Sequence, residues 1–232
     1  MSHDIDTVFL DVGGVLLLPN HDIVLDALAA AGVHLDADEA ALDRAHYAGA
    51  AALTDFPAEN VEVWNVYQRA YAVAAGVPDH LLDQACAALA AAFPRLDMFS
   101  RPAPGAHEAL SDLAATGVAL AIVSNAQGQV EGLLADAGLC QCGPGAGVTV
   151  AAVIDSHAVG VAKPDPRIFE LAMAAVGTTA DRAVHVGDVV GADVDGATAA
   201  GITPLHLDPH GLCADGGHAH VTSLAEVVDL LT

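Results

Sequence analysis

Lysine is all but absent from this chain: Lys163 is the only one among 232 residues, and Lys and Arg together number seven against thirty Asp and Glu. The formal charge of −23 repels nucleic acid and anionic membrane surfaces at long range, so neither is expected as a partner. An anionic ligand must be met by local positive charge instead. Long apolar runs are missing as well: the Ala-rich stretches are broken by Asp, Glu, His and Arg, whereas a membrane-spanning helix needs roughly 18 continuous apolar residues. Met1-Ser2-His3-Asp4-Ile5-Asp6 carries no basic region and leads straight into a strand, which argues against a signal peptide and for a cytoplasmic location. Of the four cysteines, Cys86, Cys140, Cys142 and Cys213, only the middle two lie close together. Their C-x-C spacing matches neither a zinc ribbon nor a redox pair, and free thiols are expected. His206, His210, His218 and His220 follow no strong metal-ligand spacing and are expected on a polar surface loop.

What is present is apolar sequence, 54% of the chain, enough for one domain or a core domain with an insertion. Continuous apolar runs near 6–11, 118–123, 149–154, 183–187 and 203–207 read as strands buried on both faces. Helical patterns near 104–116, 127–138, 166–176 and 192–200 alternate with them. The expected fold is α/β, a doubly wound, Rossmann-like parallel sheet. Residues 18–95 differ: they are helix-patterned, hold the only Trp and all three Tyr, and are broken at Gly32, Pro57 and Gly76-Val77-Pro78. A four-helix insertion accounts for them, leaving 1–17 and 96–232 as the core domain.

Ligands of open α/β sheets gather outside the carboxyl ends of the strands. Four such places carry chemically useful side chains. Val8-Phe9-Leu10-Asp11-Val12-Gly13-Gly14 delivers a carboxylate from a buried strand into a glycine turn, and Ser124 and Asn125 follow the second strand. Gly187-Asp188 ends the fourth strand, with Asp193 one turn further on. Lys163 lies between, in Gly160-Val161-Ala162-Lys163-Pro164-Asp165-Pro166, where the prolines stiffen the loop and Asp165 reads mainly as a helix cap. Asp11, Asp188 and Asp193 repel one another unless a cation or the single lysine offsets them. Oxygen ligands of this kind suit Mg²⁺, and Mg²⁺ with Lys163 would neutralise a phosphoryl group.

These four segments, in this order, resemble the haloacid dehalogenase-like superfamily, and the resemblance spans nearly the whole chain. It implies Asp11 as nucleophile, Ser124 as phosphate-binding hydroxyl with Asn125 beside it, Lys163 as the lysine of the third motif, and Asp188 and Asp193 as the acidic fourth motif. It also implies Mg²⁺ as cofactor, bound by Asp11, the Gly13 carbonyl, Asp188 and Asp193. The insertion at 18–95 corresponds to the family's helical cap of the first type. Phosphatases of small metabolites dominate such relatives, so a small phosphorylated substrate is expected; oligomeric state is left open.

One group departs from the pattern. Phosphatases of this family commonly hold Asp two residues after the nucleophile, as acid for the leaving group and then base for water; here Gly13 stands in its place. Three readings follow. A phosphatase could use a bound water, a cap residue or His21 instead. A carbon–halogen or carbon–phosphorus bond could be the target, although Asp188 is not needed by metal-independent dehalogenases and the only lysine lies outside the cap. Finally, the chain could bind a phosphate ligand without turning it over. Arg44, His46, Tyr47, Trp64, Tyr67, Arg69 and Tyr71 are candidates for the entrance, weighed against aromatic packing in a helical core.

Overall fold

The structure, a computed structural model, describes residues 5–53, 61–214 and 216–232, with backbone alone at 61–63. Met1 to Asp4 and the break expected at Pro57 lie outside these residues.

The chain runs β1 (Thr7–Leu10), β2 (Leu17–Pro19), then four helices α1 (His21–Ala30), α2 (Glu39–Ala51), α3 (Val61–Ala74) and α4 (Leu82–Ala92). It continues through β3 (Phe99–Pro102), α5 (Ala106–Ala115), β4 (Ala119–Ser124), α6 (Val130–Asp136), β5 (Cys140–Cys142), β6 (Val148–Val150) and β7 (Ala152–Asp155). The last third holds α7 (Ser156–Val159), α8 (Pro166–Val176), β8 (Ala183–Gly187), a π-turn (Val190–Val194), α9 (Asp195–Ala199), β9 (Thr203–Leu207), β10 (Ala219–Val221) and α10 (Leu224–Leu231).

Six strands pair in parallel in the order β10-β9-β8-β1-β4-β7. From β1 the chain steps outward through β4 to β7, then returns to the other side of β1 for β8, β9 and β10. The order therefore reverses between β1 and β8, which opens a crevice at their carboxyl ends. Both faces of β1 are covered. Val8 and Leu10 join a core with Leu110 and Leu113 of α5, while Phe9 points the other way onto Ile168 and Phe169 of α8. Successive side chains leave a strand on opposite faces, so an uninterrupted apolar run is what a doubly covered strand requires.

The four helices have a hydrophobic core of their own, built around Val24, Leu28, Leu42, Tyr67, Tyr71 and Leu89. Asn20 and Asp38 cap α1 and α2 by accepting backbone N–H groups. Gly49 lets α3 approach α2, since a Cβ there would lie 2.6 Å from the Tyr67 ring. The chain crosses to the helices and back through β2 and β3, which pair with each other in antiparallel fashion.

Three expectations need correction. The strand expected near 149–154 is two strands with a break at Ala151, β6 pairing with β5 and β7 joining the main sheet. The helix expected near 192–200 begins as a π-turn. The late histidines do not share a polar loop: His206 is buried in β9, His220 lies opposite it in β10, and His210 packs on Tyr47. Cys86, Cys140 and Cys142 are free thiols, and no helix among the described residues is long and apolar enough to cross a membrane.

Candidate active site

Asp11 follows the last residue of β1, and its N–H is bonded to the Val186 carbonyl of β8, so the crevice between these strands fixes its backbone. Asp188 follows the end of β8, and Asp193 comes from the π-turn just beyond. All three carboxylates are buried, and one oxygen from each lies within 4.8 Å of the others. Such a grouping is unstable without positive charge.

Lys163 supplies it. Its Nζ lies 2.9 Å from Asp11 Oδ1 and 2.6 Å from Asp193 Oδ1, and the residue is 1% exposed. Asn125 holds the lysine's backbone with both ends of its amide: Nδ2 donates to the Lys163 carbonyl at 3.0 Å, and Oδ1 accepts the Lys163 N–H at 2.8 Å. A few residues on, Asp165 caps α8 by accepting the Arg167 N–H, with Pro166 in the first turn, as its sequence context predicted. Ser124 is buried at the end of β4, one strand over from Asp11.

Asp193 is tied down on every side. Oδ1 also faces His185 Nε2 at 2.8 Å, and Oδ2 accepts the Val189 N–H at 3.0 Å. Gly187 makes room for this carboxylate, because any Cβ at 187 would collide with it. Burial opposes ionisation, but Lys163 and the His185 hydrogen bond outweigh it and hold Asp193 well below the usual carboxylate range. Asp11 goes the opposite way. Burial, reinforced by the neighbouring Asp193 and Asp188, prevails over Lys163 and pushes its pKa up to about 7. Lys163, facing both carboxylates, is held above its ordinary value despite burial.

The helices contribute two further groups. His46 of α2 places Nε2 3.1 Å from Asp188 Oδ2 and Nδ1 2.8 Å from the Tyr67 hydroxyl. Tyr47 donates its hydroxyl hydrogen to the Gly14 carbonyl at 2.8 Å. Gly14 itself has φ 73°, and a Cβ there would strike the Asp188 carboxylate and lie 2.7 Å from His46 Nε2. Glycine is thus demanded twice, by conformation and by space. Of the other entrance candidates, Tyr67 and Tyr71 are buried in the helical core, whereas Trp64 is 44% exposed.

His21, considered as a substitute acid, is instead a buried residue at the start of α1 whose Nε2 lies 2.9 Å from Asp43. Asp43 also pairs with Arg101, and burial with the neighbouring guanidinium lowers the His21 pKa. His185 escaped the sequence reading. Its one signal is a lone histidine inside the five-residue apolar strand β8.

The residues fit a hard divalent cation. Their donors are oxygens, and buried Asp11 Oδ1, although close to Lys163, has no aligned hydrogen-bond donor. Asp11, Asp188 and Asp193 are thus a candidate Mg²⁺ site.

A model of the family described as haloacid dehalogenase-like hydrolase matches residues 5–201. The phosphoserine phosphatase of Thermus thermophilus is 32% identical over 144 residues, 62% of this chain and 53% of that protein. Human phospholysine phosphohistidine inorganic pyrophosphate phosphatase is 40% identical over 81 residues, 31% of this chain and 29% of that one. The chain spans about half the length of the curated relatives it matches. Among solved structures, the magnesium-bound HAD-hydrolase YfnB of Bacillus subtilis aligns with TM-score 0.63 at 17% identity, over 98% of this chain and 99% of that one. A dehalogenase with an intermediate complex aligns at 0.62 and 20%, over 100% of this chain and 99% of that one. At such identities the structural likeness speaks for the fold. The family match covers most of the chain, and this protein belongs to the haloacid dehalogenase-like hydrolases.

Proposed function

We propose that the chain is a Mg²⁺-dependent phosphatase of small phosphorylated molecules, working through an aspartyl-phosphate on Asp11. In this reading residues 18–95 are a cap over a core formed by 1–17 and 96–232. The observation that carries it is the buried grouping of Asp11, Asp188 and Asp193 around the chain's one lysine.

A carboxylate oxygen of Asp11 attacks phosphorus, the bond from phosphorus to the ester oxygen breaks, and the leaving oxygen takes up a proton. Water then attacks the phosphorus of the acyl phosphate, releasing inorganic phosphate and restoring Asp11. Mg²⁺ held by Asp11, the Gly13 carbonyl, Asp188 and Asp193 supplies charge neutralisation when bound. Lys163 adds a fixed ammonium beside the nucleophile. The Ser124 hydroxyl binds phosphoryl oxygens, and Asn125 serves substrate binding by fixing the Lys163 backbone. Asp193 holds the ammonium in place. His46 takes over the proton transfer to the leaving oxygen that Gly13 has no side chain to perform; it reaches the site from α2 and lies against Gly14.

The test is stopped-flow hydrolysis of p-nitrophenyl phosphate, with and without Mg²⁺, by the native chain and by Asp11→Asn. A Mg²⁺-dependent burst of nitrophenolate that disappears in Asp11→Asn is the expected result. Absence of release under every condition overturns the proposal.

Gly13 favours a second reading, a phosphate-binding protein without turnover. A Cβ at position 13 meets nothing closer than the Phe99 ring at 3.5 Å, so Gly13→Asp has room at its first carbon. Turnover that appears only in Gly13→Asp would support this second reading.

A further inference from the structure

On the far side of Asp188 from Asp11's motif, the fold gathers a second set of donors of different chemistry. His206, Cys213, His218 and His220 each offer one ligand atom, all within 4.8 Å of one another. The sheet itself creates half of this cluster. His206 of β9 and His220 of β10 are register partners on neighbouring parallel strands, with ring centroids 5.0 Å apart. His218 stacks on His220 at 4.6 Å and an angle of 9°, and its Nε2 lies 2.9 Å from His206 Nδ1 and 3.9 Å from Cys213 Sγ.

The surroundings point the donors inward. His206 Nε2 lies 3.1 Å from the Asp188 carbonyl oxygen, which can only accept, so Nε2 carries the proton. In the neutral ring the Nδ1 lone pair is then left facing the cluster. A ligand histidine whose second nitrogen donates to a backbone carbonyl is the usual support for a bound metal. Asp208 orders the segment that brings Cys213 in, accepting the Leu212 and Cys213 N–H groups at 2.9 Å each. The same carboxylate lies 3.8 Å from His220 Nδ1.

We propose that His206, Cys213, His218 and His220 form a binding site for a borderline transition-metal ion, Zn²⁺ being the best fit, separate from the oxygen-lined site at Asp11. Three imidazoles and a thiolate suit Zn²⁺ and not Mg²⁺. Tetrahedral Zn²⁺ with bonds of about 2.0–2.3 Å spaces its ligand atoms roughly 3.3–3.6 Å apart, within the span the four donors already occupy. Four protein ligands leave no open position, so the ion is structural. Ligation converts the Cys213 thiol to thiolate and releases its proton. The ion ties β9 and β10 to the segment carrying Cys213 and, through His206, to the backbone of Asp188. The proposal does not depend on the phosphatase reading.

Co²⁺ titration of chelator-treated protein, with excess Mg²⁺ present to occupy the carboxylate site, tests it directly. The expected result is one equivalent of Co²⁺ giving the visible bands of tetrahedral cobalt and a near-ultraviolet thiolate-to-cobalt band, both erased by one equivalent of Zn²⁺. Cys213→Ser should lose the thiolate band, and His218→Ala should weaken binding at least tenfold. Native protein without a thiolate band overturns the site, whether or not the variants fold. So does a thiolate band that persists in Cys213→Ser.

Discussion

His46 Nε2 lies 3.1 Å from Asp188 Oδ2, so a side chain of the second helix is hydrogen-bonded to a carboxylate at the end of β8. The ring is held from behind by the Tyr67 hydroxyl at 2.8 Å, in the core of the helical segment. Held at Nδ1 by Tyr67, the ring has a defined position, and Nε2 would have to exchange Asp188 for the leaving oxygen to hand over a proton.

If His46 carries that proton, its loss matters only where the leaving group needs help. His46→Gln keeps a hydrogen-bonding side chain but cannot protonate an alkoxide, and should lower turnover of alkyl phosphates about 100-fold. Hydrolysis of p-nitrophenyl phosphate, whose leaving group departs unaided, should change only a few-fold. The ratio of kcat on the two substrates is the measurement, and an equal loss on both would leave His46 a purely structural role.

Adjacent glycines should respond oppositely. Gly14→Ala forces a side chain into a left-handed conformation and against Asp188, and should cost about 1–3 kcal/mol from backbone strain alone, with weakened Mg²⁺ binding. Gly13→Asp should fold and turn over alkyl phosphates faster than the native chain. Urea unfolding and steady-state kinetics on the two variants decide this.

Lys163→Met strips the counter-charge from two buried carboxylates. Breaking a buried pair from one side costs about 3–5 kcal/mol, because the partner charge is left uncompensated. Asp193→Asn added to Lys163→Met should recover part of that loss, since it removes one of the stranded charges. A double variant less stable than Lys163→Met in urea would count against this account.

The expected strands are found because β1, β4, β8 and β9 are covered on both faces, and such strands announce themselves as unbroken apolar runs. The grouping of Asp11, Asp188, Asp193 and Lys163 was legible for a related reason: strand ends converge where the sheet order reverses. Other features had no local signal. His46 reaches Asp188 across 142 positions of sequence, set by how α2 lies over the sheet. β10 is three residues long, and nothing in Ala219-His220-Val221 reveals that it pairs with β9. The late histidines stand out in the sequence, but spacing argued against a shared site, because that strand pairing, not sequence spacing, brings His206 and His220 together.

If Mg²⁺ binds as proposed, Asp11 links that binding to pH. Its carboxyl is pushed up from 3.8 to about 7, so between those values the folded protein holds a proton that the unfolded chain has released. This group's contribution to stability is full below the lower value and is lost as pH rises to about 7. Metal-free protein should therefore lose stability across that window, and Asp11→Asn should flatten the loss. At the proposed site Mg²⁺ would compete with the same proton, so its affinity should rise as pH passes upward through about 7. Thermal unfolding without metal and Mg²⁺ calorimetry at several pH values are the two measurements.

Because its single lysine is 1% exposed, the folded protein offers no accessible lysine side chain to an acylating or reductively methylating reagent. Mass added at position 163 is then a footprint of the moments when the crevice opens. Its rate, followed by peptide mapping, reports breathing of the site without a substrate, a spectroscopic label or an engineered residue.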